Sequence, residues 1–166
     1  MASLPDAEKL CEQLARELKA QVKASTAMVG IHTGGAWLAE RLHAALGMQQ
    51  PLGLLDIAFY RDDYAKQGLA KDPKRSKIPF DVEGRDLLLV DDVLHTGRTV
   101  RAALNELFDY GRPASIALVV LAERGGRQLP ICAQFAGARL EVPAGMRLRL
   151  KRDGQGKLSL ELERGA

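Results

Sequence analysis

The stretch Leu87–Thr99, LLLVDDVLHTGRT, places two adjacent carboxylates directly after four apolar residues and then breaks into a short polar turn. Neighbouring carboxylates repel and are costly to desolvate, so an apolar run that ends in Asp91 and Asp92 needs a chemical reason. As charged acceptors they suit the hydroxyls of a sugar. The residues that follow, His95, Thr96, Gly97, Arg98 and Thr99, supply small side chains, hydroxyl donors and backbone amides where a helix is about to begin. A helix amino terminus favours a phosphate through both its amides and its dipole. The pattern predicts that the acids hold a ribose and the turn holds its phosphate.

Other stretches carry weaker signals. In HTGG, Thr33, Gly34 and Gly35 follow the apolar AMVGI. Glycines there let backbone amides approach a phosphate closely, although the same residues also make a plain strand-to-helix turn. Arg61, Asp62 and Asp63 open RDDYAKQGLAKDPKRSK, a polar stretch with no sustained period. It predicts a long mobile loop that would close over a ligand and exclude water, or else a merely soluble loop of mixed charge. Glu123 and Arg124 follow the apolar SIALVVLA and precede a GG pair. With Arg127 they read either as ligand contacts or as surface charges.

These residues need a scaffold. Asp6 is placed to cap a helix whose stripe of Leu10, Cys11, Leu14, Leu18 and Val22 ends near Lys23. AMVGI reads as a buried strand, AWLAERLHAALG as a helix closed by Gly47, and LGLLDIAFY as a second strand. Leu87–Val90 form a strand with the acids at its carboxyl end, TVRAALNELFDYG a helix that stops at Gly111, and SIALVVLA another buried strand. Helices alternating with apolar strands predict an α/β fold with a mainly parallel sheet covered on both faces. In such sheets ligands bind at the carboxyl ends of the strands. MRLRLKRDGQGKLSLELER alternates about a DGQG turn and predicts a C-terminal β-hairpin. Met146, Leu148 and Leu150 would face the core, and Arg147, Arg149 and Arg152 or Lys151 would face solvent.

The chain has 166 residues, 46% of them hydrophobic, which predicts a single domain over 1–166 with one sizeable core. No apolar run suggests a membrane span, and MASLPDAEKL lacks a signal-peptide pattern, so the expected setting is cytoplasmic. Cys11 and Cys132 form no metal-ligand spacing and read as buried thiols in a reducing compartment. His43 reads as helical and exposed. The net charge of +3 suits phosphate-bearing partners without identifying nucleic acid. Neither GxxxxGK nor a complete GxGxxG after a strand is present.

LLLVDDVLHTGRT resembles the phosphoribosyl pyrophosphate (PRPP) motif of type I phosphoribosyltransferases. GIHTGG, FYRDD, VDDVLHTGRTVRAALNELFDYGRPASI and ERGGRQLPI also stand in the order and approximate spacing of the PyrR family, bifunctional pyrimidine-operon regulators similar to uracil phosphoribosyltransferases. The similarity covers about Val29 to Leu140. It implies a type I phosphoribosyltransferase fold and the conversion of uracil and PRPP to UMP and pyrophosphate with Mg2+. In many members it also implies uridine-nucleotide-dependent binding to pyrimidine-operon mRNA, and it implies a homodimer or higher homo-oligomer.

By this resemblance Asp91 and Asp92 would hold the ribose hydroxyls and help place hydrated magnesium through water and PRPP. His95 to Thr99 would wrap the 5-phosphate, with Val93 and Leu94 leading into the same substrate-binding turn. Thr33, Gly34 and Gly35 would cradle pyrophosphate, Arg61 and Asp62 would open the loop that closes over PRPP, and Glu123 and Arg124 would lie where the pyrimidine and monophosphate are recognised. Two departures stand out: many relatives carry an arginine where this chain has Gly34, and AEKLCEQLARELKAQVK matches poorly with the arginine-rich helix of RNA-attenuating members.

A different class of function remains open. A non-catalytic RNA-binding regulator would use the PRPP pocket as a nucleotide sensor and contact phosphates through Lys71, Lys74, Arg75 and Lys77, or through Arg147 and Arg149 on the hairpin. Aromatic residues for base stacking are not interleaved with these cations. A purine phosphoribosyltransferase would share the PRPP site and differ only in the base pocket.

Overall fold

Asp6 starts the first helix for a local reason: its carboxylate accepts the Glu8 and Lys9 amides at 2.9 and 3.4 Å, satisfying donors that a helix start leaves without partners. In the computed structural model, which describes residues 3–57 and 76–165, this helix, α1, spans Ala7–Leu18 and buries Ala7, Leu10, Cys11, Leu14 and Leu18. It stops short of the expected end near Lys23. Lys19 and Gln21 offer nothing apolar to bury, and the Gln21 amide turns back onto the Leu18 carbonyl at 2.9 Å. Val22 therefore meets the core from beyond the helix.

The apolar runs become parallel strands. β1 is Ala27–Ile31, β2 Gly53–Leu55, β3 Asp86–Leu94, β4 Ser115–Arg124 and β5 Phe135–Leu140. They pair in the order β2-β1-β3-β4-β5, all parallel. Helix α2, Gly34–Leu46, follows β1 and closes on Gly47 in the left-handed region, as expected. Helix α3, Arg98–Asp109, follows β3 and begins one residue before Thr99. Two corrections concern the strands: β3 runs on to Leu94, so the acids lie within it, and β4 includes Glu123 and Arg124 as its last two residues. The stretch LGLLDIAFY yields a short β2. Residues 58–60, together with Arg61, Asp62, Asp63, Lys71, Lys74 and Arg75, lie outside the described residues.

Strand alternation sends neighbouring side chains to opposite faces. Met28, Leu88, Val90, Val119 and Leu121 pack with α1, α2 and the hairpin. Val29, Ile31, Leu87, Leu89 and Val120 pack with Val100, Ala103 and Leu107 of α3. The hairpin strands β6, Met146–Arg152, and β7, Leu158–Arg164, pair antiparallel. Leu148, Leu150, Leu158 and Leu160 enter the first of these cores, as the alternation predicts. No helix among the described residues is long and apolar enough to cross a membrane.

Two polar nodes fix the layers. Arg41 of α2 forks onto both carboxylate oxygens of Glu8 on α1 and donates to the Gly156 carbonyl, while the Leu158 amide donates to Glu8 at 2.7 Å. One ion pair thus joins α1, α2 and the hairpin turn. Ser76 Oγ accepts the Asp56 amide at 2.9 Å and donates to Glu106 on α3, tying together the chain on either side of residues 58–75. Burial raises the Glu106 carboxyl above the ordinary range.

The hydrogen bond from Arg41 holds the Glu8 carboxyl below its usual 4.5. The folded state binds fewer protons there, so the pair's contribution is complete above that value and is lost as pH falls through the lowered pKa. Glu8→Gln is expected to cost about 1–2 kcal/mol at pH 7, a charged hydrogen bond reduced by partial exposure. Urea melts of wild type and variant should converge as the pH is lowered below 4.5.

Candidate active site

The strand order places a crevice where the sequence expects one. From β1 the sheet extends to β2 on one side and to β3 on the other, and helices α2 and α3 leave β1 and β3 on opposite faces. Such a switch point leaves space outside the carboxyl ends of the two central strands. His32–Gly35 follows β1 and His95–Gly97 follows β3, so both predicted phosphate loops border this crevice. The His32–Thr33 peptide is cis.

Glycines bring α2 against the strands. A Cβ on Gly30 would stand 2.7 Å from Ala39 Cβ, and one on Gly35 would stand 2.6 Å from the Val90 carbonyl and 2.9 Å from Asp91 Cα. Real side chains do not fit at these distances. At Gly34 an added Cβ would meet the side chain of Asp92, 2.7 Å from its Cγ. The Asp92 carboxylate thus fills the space that a side chain in the first loop would need. Here the departure from the family's arginine acquires a steric consequence.

The helix starts differ in a way that points to ligands. Whereas Asp6 caps α1, neither Thr33 before α2 nor Gly97 before α3 makes a side-chain capping bond among the described residues. The Arg98 amide reaches Thr96 Oγ1 at 3.2 Å. First-turn amides that a helix start leaves without intrahelical partners can be satisfied by an external anion. Gly97 makes the α3 turn possible with φ of 94°, and its Cα side lies against Leu129 and Ile131.

The two acids stand between these termini. Asp91 is buried, with 5% exposure, and accepts the Asp92 amide at 2.9 Å. Asp92 is half-buried and accepts the Val93 amide at 2.8 Å. A carboxylate has two oxygens and about four lone-pair sites, a donor set suited to sugar hydroxyls or a hydrated cation. Thr96 and Thr99 are half-buried, His95 and Arg98 exposed. Leu94, expected among the substrate-binding residues, buries its side chain in the α3 core and leaves only its backbone to the site. Val93 is half-buried and packs on the other core.

The loop after β4, read from sequence as ligand contacts or surface charges, hydrogen-bonds to the turn after β3. The Gln128 and Leu129 amides both donate to the Thr96 carbonyl, at 2.9 and 3.2 Å, and Arg98 Nε donates to Gln128 Oε1 at 2.9 Å. Arg127 donates to the carbonyls of His95 and Ile131 and pairs with Glu123. Arg127 is therefore a structural partner of the turn. Arg124 donates to the Met146 carbonyl at 3.0 Å, and its buried Nε has no hydrogen-bond partner.

Glu123 and Arg124 end β4 beside an open cleft of about 480 Å³, whose other walls include Arg127, Arg139 and Glu141. Arg139 comes from the carboxyl end of β5 and approaches Glu123 at 3.4 Å. The sequence reading missed β5 and these residues. Gly137 interrupts the apolar run FAGARL, and only the register with β4 reveals it as a strand; a Cβ there would stand 2.6 Å from the Leu121 carbonyl.

Other expectations change. Cys11 is buried, and burial pushes its thiol up to about 11, but Cys132 is exposed because it lies in the connection before β5. Both thiols are free. His43 is half-buried, with Nε2 2.7 Å from the Gln50 carbonyl beyond the end of α2. The hairpin carries its own counter-charges: Arg149 and Lys151 pair with Glu163, and Arg152 approaches Glu40 and stacks 4.8 Å over Trp37. Arg147 and Lys77 are exposed. Of the two hairpin arginines proposed to face RNA, Arg149 thus has a carboxylate partner in Glu163, which it shares with Lys151.

Partial desolvation of an imidazole that remains mostly exposed, then the charges of Arg124 and Arg127, hold His95 below its ordinary 6.5. The unfolded chain takes up that proton first as pH falls, so this group withdraws stability below 6.5. A phosphate dianion in the turn should raise the His95 pKa, read as an upward shift in its NMR titration on adding ribose 5-phosphate; an unmoved titration would place the phosphate elsewhere. Gly35→Ala, facing backbone, is expected to cost about 1–3 kcal/mol of stability in urea melts. Gly34→Ala, facing the movable Asp92 side chain, should cost less stability.

Comparison with known proteins identifies the family. Residues 2–138 match the phosphoribosyl transferase domain family. The bifunctional protein PyrR of Pseudomonas fluorescens is 47% identical over 165 residues, covering 97% of each chain. PyrR of Pseudomonas aeruginosa strain LESB58 is 48% identical over 163 residues, covering 96% of this chain and 95% of that protein. A hypoxanthine-guanine phosphoribosyltransferase structure from Bacillus anthracis superposes with a TM-score of 0.64 at 16% identity, over 88% of this chain and 86% of that one, and supports the fold alone. The chain belongs to the phosphoribosyl transferase family and, within it, to the bifunctional PyrR proteins.

Proposed function

We propose that the chain is a uracil phosphoribosyltransferase, converting uracil and PRPP to UMP and pyrophosphate, and that the same pocket senses uridine nucleotides for a regulatory role. The observation that carries the enzyme reading is the pair of helix starts without side-chain caps, α2 and α3, flanking Asp91 and Asp92 at the switch point. A ligand with a phosphate at each end and a ribose between matches that spacing of chemistry. Membership among the bifunctional PyrR proteins supports uracil over a purine.

In this reading the His95–Thr99 turn binds the 5-phosphate, and Thr33, Gly34 and Gly35 meet the pyrophosphate with backbone amides. Asp91 and Asp92 accept hydrogen bonds from the ribose hydroxyls, and Val93 and Leu94 lend their backbone to the same edge. Arg61 and Asp62, assigned from the sequence to cover PRPP, lie outside the described residues. Glu123 and Arg124 line the cleft assigned to the base. Uracil N1 bonds to the anomeric carbon as the bond to pyrophosphate breaks, and the N1 proton passes to solvent. As in glycosyl transfer generally, the sugar gains oxocarbenium character. The chain's part is positioning, exclusion of water and placement of the acids beside the developing positive charge.

Mg2+ fits the donor set. Asp91 and Asp92 offer hard oxygen ligands, and among the described residues no group of three or more His, Cys, Asp or Glu forms a self-sufficient metal cage. An ion held by one or two carboxylates, water and substrate phosphate oxygens is the usual arrangement for magnesium. When bound, it would neutralise charge on the departing pyrophosphate.

Asp92→Asn removes a charged acceptor and is expected to lower catalytic efficiency by about 10- to 150-fold, equivalent to about 1.5–3 kcal/mol. The assay follows UMP formation from uracil and PRPP with Mg2+, beside hypoxanthine, guanine and orotate. Product from a purine instead of uracil would reassign the base, and an unchanged rate in folded Asp92→Asn would remove that residue from the mechanism. For the regulatory role, binding to pyrimidine-operon mRNA should weaken steeply with salt while turnover changes little.

A further inference from the structure

We propose that Arg127 is a positioning residue that couples the base end of the site to its phosphate end, an inference that rests on the assignment of uracil to the β4–β5 cleft and of the 5-phosphate to the His95–Thr99 turn. Its guanidinium joins three segments: it pairs with Glu123 at the end of β4, donates to the His95 carbonyl at the start of the turn, and donates to the Ile131 carbonyl at 2.8 Å. Each nitrogen of the planar fork serves a different partner, Nε the Ile131 carbonyl, Nη1 the His95 carbonyl and Nη2 the Glu123 carboxylate, an arrangement that a single ammonium nitrogen does not reproduce. Gly126 lies against the His95 ring, where an added Cβ would stand 2.8 Å from Nε2.

Glu123 gives the link a way to respond to ligand. Its carboxylate is shared between Arg127 and Arg139, and the Arg139 side chain is 83% exposed at a distance of 3.4 Å. An occupant of the cleft that presents carbonyl oxygens can draw the Arg139 guanidinium towards itself. Glu123 then leans on Arg127 alone, and Arg127 fixes the His95 carbonyl more firmly. The turn whose amides take the phosphate is ordered by the same event. Reciprocity requires that a phosphate in the turn tighten the cleft by the same factor.

The test measures the affinity of ribose 5-phosphate by calorimetry with and without saturating uracil, for wild type, Arg127→Lys, Arg127→Ala and Glu123→Gln, with UMP formation assayed in parallel. In wild type, uracil is expected to tighten ribose 5-phosphate binding by about five-fold or more. Arg127→Ala should abolish that factor, and Glu123→Gln should diminish it. Arg127→Lys retains a charge opposite Glu123 but cannot serve both carbonyls, so it should also lose the coupling; it carries the test if the alanine variant does not fold. A folded Arg127 variant that keeps the full factor overturns the proposal, as does wild-type protein that forms UMP yet binds ribose 5-phosphate equally with and without uracil. Coupling present in wild type and absent in the variants, but without UMP formation, upholds the strut while overturning the catalytic reading.

Discussion

The site depends on how closely the start of α2 lies against β1 and β3. Gly30, Gly34 and Gly35 each occupy a position where a Cβ would collide with a neighbouring helix, strand or acid. Without those three side chains the helix amino terminus reaches the sheet at the height of Asp91 and Asp92. Move it outward by one methyl group and the amides no longer converge with the carboxylates on one ligand. Close packing of backbone, rather than any single ion pair, therefore sets the distance between the start of α2 and the acids of β3.

The opposite side of the crevice is held by another device. The phosphate turn has few apolar side chains of its own, yet the loop after β4 gives it two amides on the Thr96 carbonyl, a guanidinium on the His95 carbonyl, and an apolar seat for Gly97. Satisfying the turn's carbonyls from outside orders it without using its own amides. A turn that used its own amides internally would be as well ordered and would bind nothing.

The helices and central strands were legible because burial imposes its period on the sequence: AMVGI, DLLLV and SIALVVLA are buried on both faces, and the α1 stripe is read directly from its spacing. The site was legible for the same reason in reverse, since Asp91 and Asp92 interrupt a run that burial alone would have kept apolar. What escaped notice has no local signal. β5 contains Gly137 and is a strand only by virtue of its register with β4, and Arg139 joins Glu123 only through that register. Arg127 looks like any surface arginine until the turn thirty residues earlier folds beneath it. The exposure of Cys132, likewise, follows from a connection whose course no periodicity fixes.

This division explains why the phosphate and ribose ends of such a site are easier to identify than its base. Phosphates are bound by helix starts and glycine turns, whose chemistry is written in contiguous residues such as LLLVDDVLHTGRT. The cleft proposed for the base is assembled from the ends of β4 and β5 and from the loop between them, where Glu123, Arg124 and Arg139 meet across a register rather than along the chain. A change in that register, or in the one residue that Glu123 chooses as its partner, would alter the base pocket while leaving every contiguous motif intact. Base preference can thus diverge on an unchanged phosphate scaffold, and the hydrogen bonds joining the two ends determine how far one can change without disturbing the other.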